Sequence, residues 1–354
     1  MNVSIVGLAG SGKTTLFNAM VRGSVHTAGK REANVATIHV PDPRFDRLVE
    51  MYHPKKQNPA NVQFTDTPGA GAGEGLGKEF LPHVRAADTL VEVVRCFENP
   101  DLAQPAPQPG RDLGTIHSEL ILTDLQIVET RLEKLRDPRY KSKRTAIEQF
   151  EEQAMQKLFE CLEAERPASM ADLTEEERKA IRSIELVTGA PRLVVLNVTE
   201  ESLAQPDECA RAAGRACQEG HLESLALSAR VEAEISQMEK DDEAEFLKEM
   251  GLDEPARARL IRKVYDLLGL MSFFTVGPDE VRAWTIHKGD NAVEAAGKIH
   301  SDLARGFIRA EVFHYDDLMA AGSEDAVKAK GLLRLERKEY IVQDGDILHV
   351  RFKV

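Results

Sequence analysis

The chain is short of most features that mark a secreted, membrane-bound or nucleic-acid-coating protein. Aromatic residues make up only 5% of its 354 residues, with a single tryptophan. Positive charge is in deficit: 46 Lys and Arg against 59 Asp and Glu leave a net charge of −13. That balance excludes a wrapped nucleic-acid coat or a basic membrane binder, so any RNA contact must use a local patch. No apolar run approaches the ~20 residues that span a bilayer. The opening stretch MNVSIVGLAG has no basic region and reads as lacking a signal peptide. The four cysteines, Cys96, Cys161, Cys209 and Cys217, include no C-x-x-C pair and read as reduced intracellular thiols. His117, His287, His300 and His314 are scattered without metal-ligand spacing, so no zinc site is expected. A globular cytoplasmic protein remains.

What is present is an alternation. Asn2–Val6, Asn34–Val40, Val62–Thr65, Thr89–Arg95, Arg192–Asn197 and, more weakly, Leu222–Leu227 read as strands with helical stretches between most of them. That order implies an α/β fold with a mainly parallel sheet. Two segments interrupt it. Glu98–Asp112 carries four prolines and reads as an exposed loop. In Glu119–Glu165, Ile121, Leu125, Val128, Leu132 and Leu135 form a heptad seam, and Ile147, Phe150, Ala154, Leu158 and Cys161 share the face of a second arm. An inserted antiparallel helical hairpin follows, with a basic tip of Arg136, Arg139, Lys141, Lys143 and Arg144. Beyond Gly269, strands at Ser272–Val276 and Arg282–His287, a helix at Ala292–Arg305, and strands at Ile308–Phe313, Tyr340–Val342 and Ile347–Phe352 predict a small α+β domain. Trp284, within one of these strands, reads as core.

The chemistry concentrates at Gly7–Thr14, GLAGSGKT, which matches G-x-x-x-x-G-K-[ST]. Glycines let backbone N–H groups from Ala9 to Thr15 converge on an anion, and the following helix adds its positive end. In such a loop Lys13 reaches the β- and γ-phosphates and the Thr14 hydroxyl holds Mg²⁺. A strand later, Asp66-Thr67-Pro68-Gly69 is D-x-x-G. Asp66 can serve Mg²⁺ through water, and the Gly69 N–H can touch a γ-phosphate. Gly69–Gly77 reads as a switch that reorders on hydrolysis.

The strand Arg192–Leu196 ends in Asn197-Val198-Thr199-Glu200, where guanine readers usually carry N-K-x-D. A glutamate cannot take the aspartate's bidentate position without moving the loop, so guanine recognition is weakened. Adenine, with a donor at its amino group, can use carbonyls near Val198. Ser228-Ala229-Arg230 is the candidate last loop against the base.

Together with VPDPRF (Val40–Phe45), GEGLGKEFL (Gly73–Leu81), RAADTL (Arg85–Leu90), RCFE (Arg95–Glu98), LSARVEAEI (Leu227–Ile235), GLDEPARARLIR (Gly251–Arg262), the long run Leu267–Val312 and the final YIVQDGDILHVRF, these motifs resemble the YchF/Obg-like ATPase family over most of the chain. The resemblance implies a GTPase-like P-loop domain with an inserted coiled coil and a C-terminal TGS (β-grasp) domain. The expected parts are 1–118 and 191–270 for the nucleotide domain, 119–190 for the hairpin and 271–354 for the TGS domain. It also implies ATP preferred over GTP, slow hydrolysis and ribosome association through the hairpin tip and TGS domain. Phosphates would lie on Gly10–Thr15, adenine among Asn197, Val198, Glu200, Ser228 and Ala229, and Mg²⁺ on Thr14 and Asp66. The expected working form is a monomer, with neither DNA nor membrane as partner.

Some positions depart from the family pattern. The first switch lacks N-x-P-F-x-T-I, leaving only His26–Glu32 and, as a substitute for its threonine, Thr37. Ala70 stands where glutamine-dependent GTPases orient a water. No histidine lies between Arg95 and Leu113, where the family's proposed substitute would be. Two other readings therefore stand beside an ATPase: a ribosome-binding nucleotide sensor with negligible hydrolysis, and a GTPase that retains guanine specificity.

Overall fold

A computed structural model describes residues 1–21, 34–67, 80–102, 105–137 and 145–353. The chain divides into two compact units, residues 1–37 with 63–257, and residues 38–62 with 258–354. The strands in chain order are β1 (Asn2–Val6), β2 (Asn34–His39), β3 (Lys56–Asn58), β4 (Asn61–Asp66), β5 (Thr89–Arg95), β6 (Arg192–Asn197), β7 (Glu223–Leu227), β8 (Leu270–Thr275), β9 (Glu280–His287), β10 (Phe307–His314), β11 (Arg334–Glu336) and β12 (Asp346–Phe352).

One six-stranded sheet runs β2-β4-β1-β5-β6-β7 and is parallel from β4 to β7. Strands β5 and β6 are buried along their whole length, as their Leu- and Val-rich sequences require of strands covered on both faces. Inside this layer Glu92, only 1% exposed, accepts from Arg192 Nη1 at 3.1 Å. The neighbouring His117 keeps a buried Nε2 with no hydrogen-bond partner among the described residues. Among the described residues no helix is long and apolar enough to cross a membrane.

The inserted hairpin is built from helices Pro109–Arg136 and Ala146–Glu163. Ile121, Val128, Leu132 and Leu135 bury against Ala154, Met155, Leu158 and Leu162, with Leu125 partly covered. Thr145 and Glu148 close a capping box that starts the second arm. Two expectations need correction here. Ile147 and Phe150 are 66% and 38% exposed, because the seam rotates onto Glu151, Ala154, Met155 and Leu158. Glu151 is admitted to this seam because Arg131 donates to its carboxylate through Nε and Nη2. The first arm also begins at Pro109, inside the segment read as loop, since proline is tolerated in a first helical turn. Of the five tip cations only Arg136 lies among the described residues, and it pairs with Glu152 and Gln156.

The second unit holds the sheet β11-β10-β12-β8-β9-β3. Antiparallel pairs β8–β9, β10–β12 and β10–β11 and the parallel contact β12–β8 surround helix Ala292–Ile299, as a β-grasp requires. Tyr340–Val342, read as a strand, makes only an isolated bridge at Ile341. The helix read as Ala292–Arg305 is broken at an extended His300, whose ring caps its second piece. Trp284 packs against the core of this unit, stacked on Phe273 and covered by Arg282. The sequence reading missed β3, which pairs in parallel with β9. Residues 38–62 thus belong to this unit, where Arg44 joins Asp42 to Asp344 and Tyr52 donates to Glu324.

Candidate functional site

In the nucleotide-domain sheet, β1, β4, β5, β6 and β7 all end at the same edge, and each end contributes a piece of the site, as is general for parallel sheets. β1 runs into the phosphate loop and helix Lys13–Met20. Gly10 and Gly12 take the left-handed conformation, φ 75° and 88°. At Gly12 a side chain is excluded twice over, since a Cβ there would also collide with the Asn197 amide. Gly7 is held equally close, as its Cβ would lie 2.6 Å from the Val93 carbonyl. The loop is therefore seated on β5 and β6 with no room for a side chain at Gly7 or Gly12.

The polar groups of this loop are arranged for a ligand. Lys13 is largely buried, and burial lowers its pKa against the pull of Asp66. Thr14 Oγ1 donates to Asp66 Oδ2 at 2.9 Å. Asp66 is pushed up by burial, with Thr14 and Lys13 opposing. Its Oδ1 and the Ser11 hydroxyl are both buried without a hydrogen-bond partner among the described residues. Buried polar atoms are nearly always paired, so two orphans beside a lysine mark a place that a bound group completes. A divalent cation fits the Thr14–Asp66 oxygens by donor chemistry, and an anion fits the loop.

Asn197 ties this loop to the neighbouring wall. Its Nδ2 donates to the Ser11 carbonyl at 2.8 Å, and its Oδ1 accepts from the Ala229 N–H at 2.9 Å. Ser228 caps the helix Ala229–Ile235 by accepting from Val231 N–H. Thr199 caps helix Glu200–Ala204, which places Glu200 exposed in its first turn and Val198 buried behind it. These residues, with Gly12 and Thr15, line a cleft of about 850 Å³. The structure thus brings the expected base residues Asn197, Val198, Glu200, Ser228 and Ala229 together with Gly12 and Thr15 of the phosphate loop.

The cleft has a further wall that the sequence reading missed, Phe97, Glu98 and Asn99 with Glu201, while Arg230 of the expected last loop also lines it. The segment read as a free loop is anchored by buried Arg95, which donates to the carbonyls of Phe97, Pro105 and Ala106. Its Leu102 lies against Gly10. The one usable signal was position, because Phe97 follows the end of a fully buried strand. Gly69, Ala70 and the rest of the expected second switch, and His26–Glu32 of the first, lie outside the described residues. Thr37 is exposed on β2 and, among the described residues, makes no hydrogen bond to Thr14 or Asp66.

The chain is similar to known proteins along its whole length. Residues 2–124 match the model of a family described as 50S ribosome-binding GTPase, and residues 270–353 match YchF-GTPase_C, described as a protein of unknown function (DUF933). The chain is 40% identical to a ribosome-binding ATPase YchF of Bacillus subtilis, covering 100% of both chains. It is 39% identical to the Pasteurella multocida protein of the same name, over 99% of this chain and 98% of the relative. A solved YchF GTPase from Schizosaccharomyces pombe superposes with a TM-score of 0.88 at 32% identity, covering 99% of this chain and 97% of that one.

Proposed function

The chain belongs to the YchF family, and from that premise we propose that it is a Mg²⁺-dependent ATPase of slow intrinsic turnover that acts on the ribosome in the cytoplasm and prefers ATP to GTP. The observation that carries the reading is the Asn197 bridge, which makes one continuous cleft of the phosphate loop and the Val198–Glu200 and Ser228–Ala229 wall.

In this reading the triphosphate settles over Ala9–Thr15. Lys13 and the loop N–H groups balance charge as it gathers on the β- and γ-phosphates. Burial lowers the Lys13 pKa in the free protein, and an arriving phosphate opposes that shift. Thr14 and Asp66 would hold Mg²⁺, which supplies charge neutralisation at the β- and γ-oxygens. The Gly69 N–H completes the phosphate contacts. Adenine lies among Asn197, Val198, Glu200, Ser228 and Ala229. Slow turnover follows from Ala70, which has no group to orient a water. Residues 119–190 act as an inserted hairpin whose basic tip, with the TGS-like domain from residue 271, meets ribosomal RNA. The relatives' names support the ribosome as partner.

A sensor with negligible hydrolysis is the second reading, favoured by Ala70 and by the lack of histidine between Arg95 and Leu113. ATP hydrolysis measured with and without ribosomes, beside Lys13→Ala, separates the two. We expect stimulation that the variant loses. Activity equal to the variant's leaves only the sensor. A clear GTP preference in parallel titrations overturns the base assignment.

A further inference from the structure

Arg95 ends β5 in register with Asn197 at the end of β6, and the next N–H, that of Cys96, donates to the Asn197 carbonyl at 2.9 Å. Only 6% of Arg95 is exposed. Its guanidinium donates through Nη1 to the carbonyls of Phe97 at 3.2 Å and Pro105 at 2.6 Å, and through Nη2 to that of Ala106 at 3.1 Å. One side chain thus fastens two pieces of the proline-rich segment, Phe97–Leu102 and Pro105–Ala106. The Asn99 N–H ties the same pieces again, donating to the Pro105 carbonyl at 2.9 Å. The Leu102 N–H closes a turn onto the Asn99 carbonyl at 3.2 Å.

The composition of this segment makes it depend on such a donor. Pro100, Pro105 and Pro107 bring no N–H and cannot extend a backbone ladder. A guanidinium offers five N–H donors in a fixed plane, and hydrogen bonds from a charged donor are the stronger kind. Asp112, in the first turn of the helix Pro109–Arg136, sets a negative charge near Arg95: burial pushes its pKa up, and Arg95 opposes the shift.

What Arg95 holds is part of the nucleotide cleft. Phe97, Glu98 and Asn99 line it, and Leu102 lies against Gly10 of the phosphate loop, whereas Arg95 stands behind the lining. A wall that had to be ordered at each binding event would weaken affinity by the entropy of ordering it. A wall fixed in advance avoids that cost, and the difference shows mainly in the rate of release.

We propose that Arg95 is a positioning residue for nucleotide residence, which slows release by holding Phe97–Leu102 as a ready-made wall of the cleft without touching the nucleotide itself. This role rests on the nucleotide reading of the cleft and adds to it a residue that acts from behind.

The test is stopped-flow release of a ribose-labelled fluorescent ADP from the full chain with Mg²⁺, chased by excess ATP. Arg95→Met keeps most of the bulk and removes the donors. Release should quicken at least about tenfold, the equivalent of one lost hydrogen bond to a charged group, with association little changed. Release is read only from folded, loaded molecules, so a variant that is merely less stable keeps the wild-type rate. Hydrogen exchange gives a second readout: the Asn99 and Leu102 amides should lose protection while those of β1 and helix Lys13–Met20 keep it. Arg95→Lys serves if Arg95→Met does not fold. It retains the charge and loses the planar fork that reaches three carbonyls, so release should quicken by a smaller factor. Wild-type release from folded Arg95→Met, or from Arg95→Lys where only that variant folds, overturns the proposal. Faster release with Asn99 and Leu102 still protected also overturns it. A wild-type chain that binds no labelled nucleotide removes the nucleotide reading and this role together. A wild-type chain that binds, beside a folded variant that releases at the same rate, removes this role alone.

Discussion

Asn197 donates through Nδ2 to the Ser11 carbonyl at 2.8 Å, across 186 residues of sequence, and so fixes the phosphate loop from the end of a different strand. Asn197→Asp replaces that donor with a carboxylate oxygen facing a carbonyl. A buried hydrogen bond lost in this way costs about 1–3 kcal/mol. Urea unfolding should show that loss, and ATP titration should show weakened binding. Unchanged ATP affinity in a destabilised variant would mean that the bridge holds the fold but not the cradle.

The proposed base preference turns on one methylene at Glu200. Glu200→Asp restores the carboxylate reach of guanine readers on the same helix turn. The ratio of GTP to ATP affinity should rise about tenfold, near 1.4 kcal/mol. Paired calorimetric titrations measure it. A ratio that does not move removes Glu200 from the base pocket.

Glu92 and Arg192 are an ion pair closed inside the sheet. Burial raises the Glu92 pKa against the attraction of Arg192, so each charge depends on the other. Glu92→Leu alone leaves a buried guanidinium without its partner and should cost about 3–5 kcal/mol. The double variant Glu92→Leu/Arg192→Met should recover most of that loss. A double variant as unstable as the single would show that packing, not the orphaned charge, sets the cost.

His117 lies beside this pair, and burial, with Arg192 adding to it, lowers its pKa while Glu165 opposes. A histidine depressed in the folded state binds fewer protons there than in the unfolded chain. Its contribution is therefore complete above the unfolded value of about 6.5 and is lost as pH falls through the lower folded value. Unfolding free energies measured between pH 7 and pH 5 should fall more steeply in the wild type than in His117→Gln. Parallel slopes would show that His117 does not titrate across that window.

Much of the fold was legible because its signals are local. The all-apolar strands Thr89–Arg95 and Arg192–Asn197 and the heptad seam from Ile121 to Leu135 each carry their own period. Ile147 and Phe150 were misplaced because a short second arm fits two adjacent faces, and only the packed partner chooses between them. β3 was invisible because Lys56–Asn58 has neither apolar residues nor alternation, and it becomes a strand only by pairing with β9. The Phe97–Asn99 wall was hidden by prolines that read as a free loop until Arg95 was seen to tie their carbonyls together.

By itself, the order of amino acids determined the phosphate loop. Glycine spacing, the lysine and the hydroxyl act over eight contiguous residues, within the range of local backbone geometry. Tertiary structure alone decided what faces that loop, namely the reach of Asn197 to Ser11 and the Phe97 wall, and it alone made a strand of Lys56–Asn58 by pairing it with β9. Those juxtapositions join residues tens to hundreds of positions apart. They exist only once burial has repaid the entropy of bringing the segments together, and no local pattern records that balance.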